Sequence, residues 1–371
     1  MRLIAFILTR GMYGKLAPLI KFARQEGADI DIFVGGSVTS KLGNLNLQIN
    51  DDLGIDFCSD ILLENDNSIH ESIACDLLKA ICPILRKKNY DFGLIVGDRY
   101  ELLSVATACL LTNTKILHIE GGERSGSIDE SIRHALSKLA HLHCVSSKFA
   151  FDYLLSIGES AKKILVSGSP NFDLIKDFLE KNKLKINKLD SLNHGVINLK
   201  NREYVSIIHH PIIYDEISFD DQLSILIASV KKVFNGKIVV VSPNLDSDAL
   251  SYLNLTGQSN DKNLIFCKSL DPKSYALLIE RSIIAIGNSS SLIREAPFIG
   301  TRSLVIGNRQ YRRNAANSVK HCCLNKTEIS EKVKEMIELP LPSSSTLYGD
   351  GFSSKKIFEF IKNNIDIPLQ K

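Results

Sequence analysis

No apolar run in this 371-residue chain approaches the ~20 residues that a membrane span needs. The opening residues Met1-Arg2-Leu3-Ile4-Ala5-Phe6-Ile7-Leu8 are apolar but give way at once to Thr9-Arg10, with no small-residue cleavage site. They read as a buried first strand rather than a signal peptide. An excess of one charge is also missing: the net charge is +3 and the cations are dispersed, which removes the electrostatic case for nucleic acid or an anionic membrane. Cysteine pairs are scarce as well. Eight cysteines lie at scattered spacings, with only Cys322 and Cys323 adjacent and no C-x-x-C. That excludes a disulfide framework and a zinc ribbon, and points to reduced thiols in a cytoplasm, mostly in the core.

Common cofactor signatures are absent too. Gly11-Met12-Tyr13-Gly14-Lys15 imitates part of a Walker loop but lacks its spacing and the following Ser or Thr. No G-x-G-x-x-G follows a strand, so a nicotinamide site has no support. No H-x-x-x-H or carboxylate spacing demands a metal, and Glu123-Arg124-Ser125 between Gly122 and Gly126 is not a hydrolase elbow. Neither a cofactor nor a metal is expected.

What is present is the composition of a globular protein, 44% hydrophobic and 23% charged, with length for two domains. Apolar runs at Leu3–Leu8, Ile30–Val34, Phe92–Val96, Lys115–Ile119, Tyr204–Ile208, Ile238–Val241 and Ile283–Ile286 alternate with helical stretches such as Glu71–Lys87 and Leu102–Leu111. This alternation predicts an α/β fold of two Rossmann-like, doubly wound parallel-sheet domains. Lys- and Asn-rich sequence between about Asp177 and Glu203 marks a linker. The expected domains cover residues 1–180 and 200–352, followed by a closing helix and tail over 353–371.

Three clusters at strand ends carry chemistry. His118-Ile119-Glu120-Gly121-Gly122-Glu123 and the charged run through Asp129, Arg133 and His134 crowd a strand-to-helix junction beyond what packing asks. Open α/β sheets keep their ligands at that carboxyl edge. Gly97-Asp98-Arg99-Tyr100-Glu101 follows another strand; the alternative there is a plain cap, with Asp98 on helix amides and Arg99 paired to Glu101. Gly287-Asn288-Ser289-Ser290-Ser291, read as opening a helix, offers N–H groups and hydroxyls to an anion. Glu295 is spaced to accept from a ribose diol. The loops with His209-His210-Pro211, Ser242-Pro243-Asn244-Leu245-Asp246 and Gly307-Asn308-Arg309-Gln310 belong to the same second half.

In this order the clusters resemble the hydrolysing UDP-N-acetylglucosamine 2-epimerases, along nearly the whole chain. Ser125-Gly126-Ser127-Ile128-Asp129-Glu130-Ser131-Ile132-Arg133-His134 carries most of the likeness, supported by Gly168-Ser169-Pro170, Arg294-Glu295 and Tyr348-Gly349-Asp350-Gly351. The resemblance implies a GT-B-like pair of domains facing a cleft and a cytoplasmic homodimer or homotetramer. It also implies conversion of UDP-N-acetylglucosamine and water to N-acetylmannosamine and UDP for sialic acid synthesis. By matching positions, Asp98, Glu120 and Asp129 become acid/base candidates. Arg10 and Arg99 would contact the substrate, His210, Ser289, Ser290 and Arg309 the diphosphate, Glu295 the ribose, and Asn244 and Asp246 the nucleotide. No nucleic acid or membrane partner is implied. Two positions depart from the family pattern: Met12 stands where an acid is usual and Val38 where a histidine is usual. The rival substrate is another sugar nucleotide, such as that of a 2,4-diacetamido-6-deoxyhexose. A glycosyltransferase on the same fold and an inactive nucleotide-sugar-binding relative are rivals of other classes.

Overall fold

The computed structural model describes residues 1–39, 45–59, 70–125, 129–182, 188–191, 194–198, 202–211, 217–242, 261–267 and 270–370. The chain divides into two compact units, Met1–Leu174 with Tyr348–Lys371, and Ile175–Leu347.

The first unit is built on seven parallel strands: β1 (Arg2–Ile7), β2 (Asp29–Val34), β3 (Phe57–Cys58), β4 (Phe92–Val96), β5 (Lys115–Ile119), β6 (Leu142–Val145) and β7 (Ile164–Val166). Their order is β3-β2-β1-β4-β5-β6-β7. Continuous apolar runs such as Leu3–Ile7 and Phe92–Val96 are buried throughout, as strands covered on both faces require. Strand order reverses between β1 and β4, which pair with Leu3 beside Phe92. The loops after these two strands therefore border the crevice where such sheets bind ligands. The helix Ser353–Asn363 completes the unit: Ile357, Phe358 and Ile361 join its core, and Phe358 meets Phe22 edge-on at 5.9 Å.

The second unit holds an eight-stranded sheet: β8 (Lys188–Ser191), β9 (Gly195–Asn198), β10 (Tyr204–Ile208), β11 (Lys237–Val241), β12 (Leu264–Cys267), β13 (Ile284–Gly287), β14 (Arg302–Ile306) and β15 (Val319–Cys322). Six of these repeat the doubly wound order as β12-β11-β10-β13-β14-β15, with the reversal between β10 and β13. The stretch read as a linker instead contributes the antiparallel hairpin β8–β9, which extends the sheet beyond β12. Its polar composition suits an edge, where one side of each strand faces water.

Every apolar run singled out in the sequence forms a strand, to within a residue at its ends. The strands not anticipated, such as β3, β6 and β7, are two to four residues long and too short for periodicity to register. All eight cysteines are free, but only Cys109, Cys144, Cys267 and Cys322 are buried, so the core holds half of them. Among the described residues no helix is long and apolar enough to cross a membrane.

Candidate active site

In the first unit, β4 ends at Val96 and the chain turns at Gly97, whose N–H donates to Ile119 O of β5 at 3.0 Å. Asp98 thereby leaves the sheet at its carboxyl edge. Its Oδ2 accepts from Nη2 of Arg133, on the helix Asp129–Leu139. Arg133 is only 2% exposed, and its Nη1 also donates to Glu123 O at 2.5 Å and Ser125 Oγ at 3.5 Å. One guanidinium thus ties three segments around Asp98. The residue directly before the helix Glu101–Leu111 is Tyr100, which makes no side-chain cap bond. Arg99 follows the plainer reading, donating to Glu101 through Nε at 3.2 Å and Nη2 at 3.0 Å.

Beneath these groups lies His118. Its Nε2 is 2.8 Å from Gly97 O and its Nδ1 is 3.0 Å from Ser137 Oγ, so the ring joins β4, β5 and the following helix. Burial lowers its pKa to about 4, opposed only in part by the Gly97 bond. Between there and the ordinary 6.5, the unfolded chain binds a proton that the folded chain refuses. Stability therefore falls as pH drops through that window, with about 3 kcal/mol from this imidazole. His118→Asn removes the titration, and urea unfolding should lose about 1 kcal/mol per pH unit of slope between pH 6 and 5. An unaltered slope would mean that the ring is not the titrating group.

At the end of β5, Glu120 adopts φ +61°, an uncommon conformation for a residue with a side chain. The surroundings impose it. Its N–H donates to Cys144 O at 2.8 Å, Lys15 Nζ reaches its Oε2 at 2.6 Å, and Ser169 Oγ donates to its Oε1. Backbone strain maintained in this way is typical of functional positions. The loop beyond is equally constrained: a Cβ at Gly122, where φ is +75°, would stand 2.5 Å from Ala150 O. Glu123 is committed to the scaffold, accepting from Ser146 Oγ at 2.8 Å and Ser147 Oγ at 3.1 Å.

Asp129, at the first turn of its helix, is exposed; Glu130 accepts from the Ser125 N–H at 2.8 Å and lies 3.6 Å from His134 Nε2. Arg10 opens the helix Arg10–Gln25, which follows β1, and is exposed. Met12 and Val38 are 3% and 1% exposed and belong to the core of this unit. Asp98 and Glu120 each meet a cation, Arg133 and Lys15.

In the second unit, the loops after β10 and β13 are joined by reciprocal bonds. Asn288 Oδ1 accepts from the His210 N–H at 2.8 Å, and Asn288 Nδ2 donates to His210 O at 2.8 Å. Buried Gln310 then donates from Nε2 to Asn288 O at 3.2 Å. This fixes His210 at the strand-order reversal. Burial, with a smaller push from the Arg309 charge, lowers the His210 pKa to about 4, so the ring is neutral at pH 7. Its neighbour His209 is structural, with Nε2 2.7 Å from Gln222 Oε1.

The serine run does not open a regular helix as expected. A single 3-10 turn, Ser290–Leu292, is followed by the five-residue helix Glu295–Ile299, so a helix dipole contributes little. Ser289 Oγ accepts from Ser291 N and Ser291 Oγ, and Ser291 Oγ also meets Tyr275 OH, whereas the Ser290 hydroxyl stays outside this network. Arg309 is exposed after β14, and Glu295 is half-buried. Asn244 and Asp246 lie outside the described residues, as do Gly126, Ser127 and Ile128. Among the described residues no three His, Cys, Asp or Glu side chains cluster as metal ligands would. Lys15, Ser169, Arg133 and Gln310 carry the geometry, yet no local motif singles out their roles.

A family model described as UDP-N-acetylglucosamine 2-epimerase matches residues 21–362. The UDP-N,N'-diacetylbacillosamine 2-epimerase (hydrolyzing) of Legionella pneumophila is 28% identical over 367 residues, 97% of this chain and 94% of that one. The GDP/UDP-N,N'-diacetylbacillosamine 2-epimerase (hydrolyzing) of Campylobacter jejuni is 31% identical over 285 residues, 75% of this chain and 72% of that one. In fold, the chain is similar to the crystal structure of the UDP-GlcNAc 2-epimerase from Neisseria meningitidis bound to UDP-GlcNAc. The TM-score is 0.84 at 20% identity, covering 98% of this chain and 100% of that one.

Proposed function

This chain belongs to the UDP-N-acetylglucosamine 2-epimerase family, and from that premise we propose that it hydrolyses a UDP-linked 2-acetamido sugar with inversion at C2. One observation above the others supports this reading: each unit has polar groups at its own strand-order reversal, Asp98 after β4 in the first, with Glu120 one strand further at the end of β5, and the His210–Asn288 pair in the second.

The chemistry makes two demands. The C2 proton is weakly acidic, so UDP must first leave C1 with the bonding electron pair, building oxocarbenium character that loosens that proton. His210, Ser289, Ser290 and Arg309 suit stabilisation of the departing diphosphate, with Glu295 on the ribose and Asn244 and Asp246 on the nucleotide. A carboxylate of the Asp98, Glu120 and Asp129 set then takes the C2 proton, leaving a 2-acetamido-glycal. Water adds across the double bond, hydroxyl to C1 and a proton to the opposite face of C2, giving the free epimer and UDP. Arg10 and Arg99 would contact the substrate from the first unit. No step calls for a metal or an organic cofactor.

Of two substrates, the 2,4-diacetamido-6-deoxyhexose nucleotide has the stronger support. Both relatives above are named for a diacetylated sugar. Met12 and Val38 replace an acid and a histidine of the family pattern with buried apolar side chains, and a sugar with a C6 methyl and no free C4 hydroxyl offers such groups less to hydrogen-bond. UDP-N-acetylglucosamine, giving N-acetylmannosamine for sialic acid synthesis, is the second reading. Each nucleotide sugar should be incubated with the protein in heavy water and followed by NMR. The expected result is acceptor-independent UDP release with deuterium at C2, faster for the diacetamido sugar. Faster turnover of UDP-N-acetylglucosamine reverses the substrate assignment. UDP release that requires an acceptor, without deuterium at C2, means a glycosyltransferase, and tight UDP binding with no turnover means an inactive relative.

A further inference from the structure

Two motifs of the sequence have no part in the chemistry above, Gly168-Ser169-Pro170 and Tyr348-Gly349-Asp350-Gly351. They meet each other within the first unit. We infer that Ser169 is a positioning residue for Glu120, and that the Tyr348–Gly351 turn sets where Ser169 stands. This rests on the reading of Glu120 as an acid/base group.

Ser169 is fully buried just beyond β7. Its hydroxyl donates to Glu120 Oε1, and its N–H donates to Tyr348 O at 2.8 Å. Glu120 thus has a donor on each oxygen, but the two differ in kind. Lys15 reaches Oε2 on a long side chain that can follow a displaced carboxylate. Ser169 has one rotatable bond before its oxygen, so its hydroxyl goes wherever its backbone is held.

The turn holds that backbone closely. A Cβ at Gly168, where φ is +81°, would lie 2.5 Å from Gly349 Cα; one at Gly349, where φ is +133°, would lie 3.0 Å from both Gly168 Cα and Ser169 N. Only two glycines permit this approach. The turn is itself anchored. Asp173 accepts from the N–H groups of Ser353 at 2.8 Å and Ser354 at 2.6 Å, and Lys356 donates to Asp350 at 2.8 Å. Chain that re-enters the unit at Tyr348 therefore fixes one oxygen of Glu120 through a single intermediate residue.

Ser169→Ala and Gly349→Ala test this, beside Glu120→Gln. Ser169→Ala should lower kcat about 10- to 100-fold with KM and UDP affinity within about two-fold, in line with loss of one charge-assisted hydrogen bond. The acid limb of the pH–rate profile should move to higher pH, because a carboxylate that loses a donor holds its proton more tightly. Gly349→Ala touches no substrate group yet should reproduce both changes. If it does not fold, Ser169→Ala decides alone. Wild-type kcat with an unmoved acid limb overturns the inference, as does a fall in kcat matched by equal losses of UDP affinity and melting temperature with the limb in place. Full activity of Glu120→Gln removes the underlying reading instead, whatever Ser169→Ala does.

Discussion

Glu120→Gln should reduce turnover about 10³-fold while leaving UDP affinity within a few-fold, within the range expected for loss of one acid/base group. The substitution suits the site. Glutamine is isosteric and keeps one acceptor oxygen, so either Lys15 or Ser169 retains its partner while the amide nitrogen confronts the other donor. Stability should fall by about 1–3 kcal/mol, the usual cost of a mismatched buried polar group. That is small beside the catalytic effect, so the two can be separated by calorimetric unfolding and a single-turnover assay of UDP release. Deuterium exchange at C2 locates the lost step: if Glu120 takes the C2 proton, exchange and UDP release fall together. Wild-type turnover in the variant would sink the assignment.

How far the sequence alone leads is visible around this residue. The strand before Glu120, its place at the carboxyl edge and the glycines after it are local signals, and all could be read. Its partners could not: Lys15 is 105 residues away and Ser169 is 49. The same limit applies in the second unit, where Asn288 is recognisable in its motif but its grip on the His210 backbone spans 78 residues. Periodicity reports which face a segment buries, and strand ends report where a ligand edge lies. Neither reports which side chain from another element arrives there. Arg99 shows the converse. Its pairing with Glu101, two residues on, is a local signal, and the structure contains it. The hairpin β8–β9 escaped because its composition is that of a loop, and its place at the sheet edge comes from pairing with β12, far along the chain.

Arg133 is where stability and activity should separate most clearly. It is buried, and it serves Asp98, Glu123 O and Ser125 Oγ from one planar group. Arg133→Ala leaves Asp98 without that cation and frees the loop after β5. Breaking a buried pair costs about 3–5 kcal/mol, and the 30% exposure of Asp98 places the expected loss at the lower end, about 3 kcal/mol. Turnover should fall with it, since Asp98 and the Glu120 loop share this tether. Arg133→Lys separates the two effects. An ammonium restores the charge but cannot present the same fork to three acceptors. Urea unfolding should therefore recover at least half of the lost stability, while kcat remains about 10-fold or more below wild type, as expected for mispositioned groups. Full recovery of both by lysine would show that Asp98 needs only a nearby positive charge. Recovery of stability alone means that the guanidinium fixes the direction in which the Asp98 carboxylate points.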